Sequence, residues 1–469
     1  MPVPPERDSL AYRLLHRVAR LALHWYYRQV TIDGAERIPR DGPVLMVVNH
    51  PNELLDVLFA GIVSPRQLTF TGNSTLFANP VQGAFLRYMR VVPLRRTQDE
   101  RAVSRDAATP DVVTPDIARN ADAFAAIHDA LAAGRIVLIF PEGRSWDEPR
   151  LAPMKTGAAR IALSAGEAGV RGVTVVPIGI NYERKDGLRS RVLVQVAPPI
   201  VLDTLRPDQM SVDAITREIG DRLRAVTLNF DDHGDADEVL DLATTLAAAT
   251  DEIRPLGDPD APMSAQVDVA RRAAAIRQRL ERGELPSLTE QRVRRVQRRL
   301  LALQRTATRL GIRLDDVALD TRLPAAGRFV IRELLLGAIG IPFALWGRVN
   351  HFLPFTLATW LGRRNATARS QLAMRTIVLG VLLVPLFYLV QTLVVWRFTD
   401  AVWAALYVAS LVPSASWDIR YRERVRGMTR RARAWRHFRD DPALQAKLRN
   451  ELVALRDEAT TIASGASAT

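Results

Sequence analysis

The stretch from Ile377 to Trp396 carries no charged residue, and this limits the fold more than any other feature of the chain. It is long enough to cross a bilayer, which takes about 20 predominantly apolar residues. In hydrocarbon, with no water to bond, such a backbone closes its own hydrogen bonds as a helix. The segment is expected to be a membrane helix; the other reading is a helix buried in a soluble domain. A shorter apolar run, Ala401–Pro413, follows the tight connection Arg397–Asp400. Arg369 and Arg375 precede the pair, and Arg420, Arg422, Arg424 and Arg426 follow it. A hairpin would leave both basic flanks on one side, which the positive-inside rule assigns to the cytoplasm. Leu334–Trp346, bounded by Arg332, Glu333 and Arg348, is short for a span and reads as re-entrant or interfacial. Residues 326–426 are thus expected to form a membrane region and 427–469 a cytoplasmic helical tail.

The pattern changes upstream. Between residues 30 and 230, short apolar runs alternate with helical periodicity, the mark of an α/β domain. Predicted strands are Val44–Val48, Gln67–Thr71, Val91–Leu94, Ile136–Phe140, Val173–Ile180 and Val192–Val196. Predicted helices include Asn79–Arg90, Ala121–Ala133, Lys155–Ala165 and Ser211–Leu228, with an irregular loop over Thr97–Arg119. The segment before them, residues 1–30, carries no recognisable cleavable signal and mixes Leu14, Leu15, Val18, Leu21 and Trp25 with Arg13, Arg17 and Arg20. Such a basic amphipathic helix either lies in a lipid headgroup layer or packs on the domain. Residues 231–325 read as helical and arginine-rich, most simply with a solvated basic face. His233 there reads as a loop histidine.

The formal charge of +13 suits an anionic partner, whether nucleic acid, phosphorylated substrate or anionic lipid. With no cysteine, thiolate nucleophiles, disulfides and cysteine-ligated metals are excluded. No His-Glu-x-x-His spacing appears, so no metal site is expected. The arginine-dense segment has no interleaved aromatic platform, so no nucleic acid is expected as partner.

Two segments carry chemistry. Asn49-His50-Pro51-Asn52-Glu53-Leu54-Leu55-Asp56 follows the strand Val44–Val48. His50 therefore sits at a strand's carboxyl end, the edge of an α/β sheet where ligands bind. A carboxylate that holds an imidazole in one tautomer makes it a general base. On a regular helix, positions six apart lie on different faces. His50 and Asp56 therefore meet only if the chain turns first, as Pro51 favours. The alternative is a helix-capping His-Asn pair at a strand–helix turn. Phe140-Pro141-Glu142-Gly143-Arg144-Ser145 follows another strand. Gly143 suits a tight turn, and Arg144 could grip a phosphate with two nitrogens. Glu142 could orient that arginine or bind a substrate hydroxyl; the alternative is a surface Glu–Arg pair. Val91-Val92-Pro93-Leu94-Arg95-Arg96 offers a second anion site, and Val176-Pro177-Ile178-Gly179-Ile180 a strand that shapes a wall.

These blocks, in this order, resemble the glycerolipid acyltransferase family (glycerol-phosphate and lysophosphatidate acyltransferases) over about residues 40–200. The family's most common first block has four residues between His and Asp, whereas this chain has five. The fungal-type glycerol-3-phosphate/dihydroxyacetone-phosphate acyltransferases share that spacing, and they resemble NHPNELLD, VVPLRRTQD, FPEGRSWDEPRLAPMKTGAARIAL and VPIGINYERKDGLRSRV in this chain. The resemblance implies an acyltransferase domain over 31–230, a mixed sheet flanked by helices, followed by a helical region and C-terminal membrane helices. It implies His50 and Asp56 as catalytic, and Arg96 and Arg144 as ligands of the acceptor phosphate. Glu142, Gly143, Ser145, Arg95 and Lys155 are further binding positions. An acyl thioester donor (acyl-CoA or acyl-carrier protein) would give its acyl group to glycerol 3-phosphate, dihydroxyacetone phosphate or lysophosphatidate. No cofactor is implied, and the lipid bilayer is a partner. Backbone amides near Gly143 are the candidate oxyanion donors. The rival of another class is a non-catalytic basic membrane scaffold or nucleic-acid binder.

Overall fold

The computed structural model of the chain describes residues 9–94, 120–185, 187–230, 233–248, 263–318, 323–364 and 369–467. The expected loop over 97–119 and the pair Arg95 and Arg96 lie outside the described residues. The chain divides into two compact units, one of residues 1–229 and 366–374, the other of 230–365 and 375–469.

The first unit is built on one mixed sheet of β1 (Gln29–Asp33), β2 (Val44–Val48), β3 (Leu68–Asn73), β4 (Val91–Leu94), β5 (Ile136–Ile139), β6 (Thr174–Tyr182), β7 (Arg191–Val196) and β8 (Ile200–Val201). The order is β1-β7-β6-β2-β5-β3-β4, with β8 on β6. All pairs are parallel except β6 with β7 and β6 with β8. Every residue of β2 is buried, as a strand covered on both faces requires. The helices are α1 (Leu10–Tyr26), α2 (Leu54–Val63), α3 (Pro80–Tyr88), α4 (Ala121–Ala132), α5 (Gly157–Glu167) and α6 (Val212–Val226). One core joins Leu45, Val47, Val137 and Ile139 of the sheet to Ile127 and Leu131 of α4, Ile161 of α5 and Ile219 and Leu223 of α6.

β5 and β6 flank β2 and run parallel to it, so the three carboxyl ends lie at one edge. Val48 pairs with Ile178, and β6 runs on to Tyr182. At Gly179 a Cβ would stand 2.3 Å from the carbonyl oxygen of Val226, so only glycine admits α6 this close to β6. The expected strands and helices are present with ends shifted by a few residues. β1, β8 and α2 are additions.

The second unit is helical. α7 (His233–Ala248), α8 (Met263–Glu281), α9 (Ser287–Leu310) and α13 (Pro442–Ser467) surround an apolar core. His233 opens α7 rather than lying in a loop. In α9, Val293, Val296, Leu300, Leu303 and Ala307 are buried, while Arg292, Arg294, Arg295, Arg298 and Arg305 are exposed. The arginine density is thus the solvated side of an amphipathic helix.

The remaining helices are α10 (Leu323–Arg364), α11 (Arg369–Phe398) and α12 (Ala401–Asp440). Their polarity is inverted. Leu382, Leu389, Trp403 and Leu406 are exposed, whereas His351 (2% exposed) and Asp418 (4%) are buried. His351 Nε2 lies 2.6 Å from the Tyr388 hydroxyl, and the Trp417 indole donates to Gly340 O at 3.0 Å. Leu372–Phe398, of mean hydropathy 2.4, is the one helix among the described residues long and apolar enough to cross a membrane. The segment read as re-entrant is the middle of α10. Ala401–Pro413 opens a longer helix whose packed face meets α10, with Trp346 donating to Ser410 Oγ at 3.0 Å.

Candidate active site

Where β2 ends, Asn49 takes over its pairing. The Asn49 amide donates to Ile180 O at 3.2 Å, and its oxygen accepts from Ile180 N at 2.7 Å, a side-chain copy of a strand pair. His50 leaves the sheet plane, held by its main chain. His50 N donates to Glu142 Oε1 at 2.7 Å, and His50 O accepts from Trp146 N at 2.9 Å. The chain then reverses at Glu53, which adopts φ +46°. A non-glycine residue there costs about 1–3 kcal/mol and persists only where its surroundings enforce it. Here Ser145 Oγ accepts the Glu53 amide at 3.3 Å and donates to His50 O at 3.2 Å.

The reversal starts α2 at Leu54, so Asp56 lies in its first turn, where a helix favours negative charge. Asp56 Oδ2 lies 2.9 Å from His50 Nδ1. The same oxygen accepts from Asn52 N at 2.6 Å, and Oδ1 accepts from the Tyr182 hydroxyl at 2.7 Å. Asp56 is fully buried at 0% exposure and His50 reaches 9%. A buried carboxylate with three donors is satisfied as an anion. With Nδ1–H given to Asp56, Nε2 keeps its lone pair, and no described residue hydrogen-bonds it.

The β5 loop supplies the other wall. The Phe140 ring stacks on the His50 ring at 3.8 Å and 12°. Gly143, at φ +70°, closes a turn by donating its N–H to Phe140 O at 3.0 Å. That amide is therefore occupied, which removes it from the expected oxyanion donors. Glu142 is buried, and among the described residues its carboxylate is bonded to backbone amides and not to Arg144. Its Oε1 accepts from His50 N, and its Oε2 accepts from Ala152 N at 2.8 Å. Its structural task is to fix the histidine backbone, in place of the expected grip on Arg144. Burial pushes its carboxyl above the ordinary value, opposed by the Ala152 and His50 amides.

Arg144 is exposed, its guanidinium 4.2 Å from the centroid of the Trp146 ring. A Cβ at Gly143 would fall 2.8 Å from Lys155 Nζ, so the exposed lysine lies across this glycine. Lys185, after β6, ties the same loop down. Its ammonium donates to Asp147 O at 2.8 Å, and its carbonyl accepts from the Asn52 amide at 3.1 Å. Burial lowers the Lys185 ammonium, against the pull of Asp147.

The structure thus brings His50, Asp56, Glu142, Gly143 and Ser145 together, with Arg144 and Lys155 on the loop beside them. Arg95 and Arg96 are outside the described residues. Sequence reasoning missed Asn49, Asn52, Tyr182 and Lys185. Tyr182 stands at the end of an apolar strand, where alternation gives no cue that its hydroxyl reaches a residue 126 positions away.

Residues 29–181 match the family described as Acyltransferase. The glycerol-3-phosphate O-acyltransferase 2 of Saccharomyces cerevisiae is 35% identical over 121 residues, which is 24% of this chain and 16% of that one. The chloroplastic 1-acyl-sn-glycerol-3-phosphate acyltransferase of Arabidopsis thaliana is 27% identical over 175 residues, 37% of this chain and 42% of that one. The matches therefore span less than half the length of either relative. The crystal structure of a 1-acyl-sn-glycerophosphate acyltransferase from Thermotoga maritima superposes with a TM-score of 0.33 at 19% identity, covering 46% of this chain and 78% of that one. The matched residues contain both the His50–Asp56 pair and the Glu142 loop. Residues 29–181 thus match the Acyltransferase family, and the two relatives aligned with them are a glycerol-3-phosphate O-acyltransferase and a 1-acyl-sn-glycerol-3-phosphate acyltransferase.

Proposed function

We propose that this chain transfers a fatty acyl group from a thioester, acyl-CoA or acyl-carrier protein, to a hydroxyl of glycerol 3-phosphate or dihydroxyacetone phosphate. The observation that carries the reading is the 2.9 Å contact of His50 Nδ1 with the buried Asp56 carboxylate, which leaves Nε2 as a base. Nε2 takes the acceptor's hydroxyl proton as its oxygen attacks the thioester carbonyl. The adduct collapses with cleavage of the C–S bond, and the imidazolium returns the proton to the departing sulfur. General-base assistance of this kind contributes about 10² to 10⁴-fold. Arg144 and Lys155, exposed on the Glu142 loop, are the described candidates for the acceptor phosphate, and Arg96 is the candidate from the Val91–Arg96 segment. The yeast match favours glycerol 3-phosphate; the longer Arabidopsis match favours lysophosphatidate as a second reading.

The reading includes a membrane setting. α11 would span the bilayer and Ala401–Pro413 of α12 would return through it, which leaves the outer basic flanks, Arg369 and Arg375 before the pair and Arg420, Arg422, Arg424 and Arg426 after it, on the cytoplasmic side together with the catalytic domain. α1 would lie in the headgroup layer, with Leu10, Leu14, Leu15 and Leu21 exposed beside Arg13, Arg17 and Arg20. The deciding experiment offers each of the three acceptors and both thioesters to the purified full chain in proteoliposomes, as wild type and His50→Ala. Transfer by wild type and near-complete loss in the variant are expected. A folded wild type inert toward every combination, or an active His50→Ala, overturns the reading. Consumption of lysophosphatidate alone selects the second acceptor.

A further inference from the structure

Asp56 is bonded on both oxygens, and the two sides differ in origin. Oδ2 faces its own loop, His50 and Asn52, whereas among the described residues Oδ1 is held only by the Tyr182 hydroxyl, at 2.7 Å, from the end of β6. A carboxylate anchored on one oxygen can rotate about its Cβ–Cγ bond; anchored on both, it has one orientation. Tyr182 is itself fixed. Its ring meets Tyr27 at 6.0 Å and Phe59 at 5.8 Å between centroids, and the β6 backbone beside it is pinned by the two Asn49–Ile180 bonds. We propose that Tyr182 is a positioning residue for the transfer reaction, holding the Asp56 carboxylate so that His50 presents Nε2 to the acceptor hydroxyl. The inference rests on the reading of His50 as the base.

Among the described residues, few charged and titratable groups face Asp56. His50 comes from the β2 loop, Glu142 from the β5 loop, Tyr27 from the segment after α1, and Tyr182 and Lys185 from β6 and the turn after it. Burial holds the Tyr182 phenol well above its ordinary range, so it remains a donor at every working pH. Removing its hydroxyl leaves the anion one donor short. A proton added to the His50–Asp56 pair then relieves more unsatisfied charge, so the pair binds it more readily. Tyr27 provides a matched control. It is buried in the same ring cluster, and its hydroxyl has no hydrogen-bond partner among the described residues.

The test compares wild type, Tyr182→Phe and Tyr27→Phe as full chains in proteoliposomes, by steady-state kinetics across pH and by NMR titration of the isotope-labelled His50 imidazole. For Tyr182→Phe, kcat is expected to fall about tenfold with KM for both substrates little changed. The acid limb of the rate profile and the His50 titration should both move to higher pH. Tyr27→Phe should match wild type in all of these. Wild-type kcat in Tyr182→Phe overturns the inference. So does a loss that only tracks the folded fraction while both pH readouts stay in place. If wild type transfers nothing to any acceptor, the activity reading fails by itself, and the NMR titration still decides for or against Tyr182.

Discussion

The imidazole of His50 meets the carboxylate of Asp56 at 2.9 Å because the chain between them is not helical until Leu54. A continuous helix would have turned these positions to different faces. The turn depends on Glu53 at φ +46° and on Asn52, whose amide also reaches Asp56. Asp56→Asn is expected to keep the fold but present an amide where the imidazole N–H must be accepted. Acyl transfer should fall by about 10² to 10⁴-fold with KM little altered, as steady-state kinetics beside a circular-dichroism control will show.

Glu142 gives a pH signature in stability. Burial raises its carboxyl above the ordinary value of 4.5, so the folded state binds its proton more tightly than the unfolded chain does. Its contribution is therefore neutral well below that value and becomes a penalty as pH rises through and above it. Glu142→Gln should remove this decline from denaturant unfolding of the micelle-solubilised chain between acid and neutral pH. Glutamine offers one acceptor for two amides, so the variant should also lose about 1–3 kcal/mol. An unchanged slope with pH would argue against a buried carboxylate at this position.

Gly179→Ala tests the contact of α6 with the sheet. The added methyl would stand 2.3 Å from Val226 O, backbone that cannot swing aside. A loss of about 1–3 kcal/mol is expected from such overpacking, read as a lowered denaturation midpoint. A variant as stable as wild type would mean that α6 shifts freely.

The membrane reading can be mapped by single labels, because the chain has no native cysteine. Nitroxides at Leu389→Cys in α11 and Leu14→Cys in α1 should both report lipid in proteoliposomes, the first near the bilayer centre and the second near the headgroups. Water exposure at Leu389→Cys would remove α11 from the bilayer; water exposure at Leu14→Cys would return α1 to an ordinary surface helix.

The parts legible in the sequence were those set by short-range pattern. Val44–Val48 and Ile136–Ile139 announce themselves as buried strands, and the residues after them stand at a carboxyl edge by that fact alone. What stayed hidden depends on which strands become neighbours. Glu142 looked like a partner for the adjacent arginine, yet both its oxygens are taken by amides from segments that the sheet brings near. Asn49 carries no local cue to its partner, yet its side chain prolongs the β2 ladder against β6, a strand that begins 125 positions later, at Thr174. β1 joins the sheet as neighbour of β7, a partner beyond the reach of local periodicity.

The two ends of the Tyr182–Asp56 bond are 126 residues apart in sequence. Long-range pairing is slow to form because the intervening loop must first be closed. The bonds of His50 and Asn52 to Asp56 are local, but the second anchor on the carboxylate exists only once β6 has docked against β2. If His50 is the base, the restraint that aims it is present only in molecules whose sheet is complete, and a half-folded chain would meet its donor without that restraint.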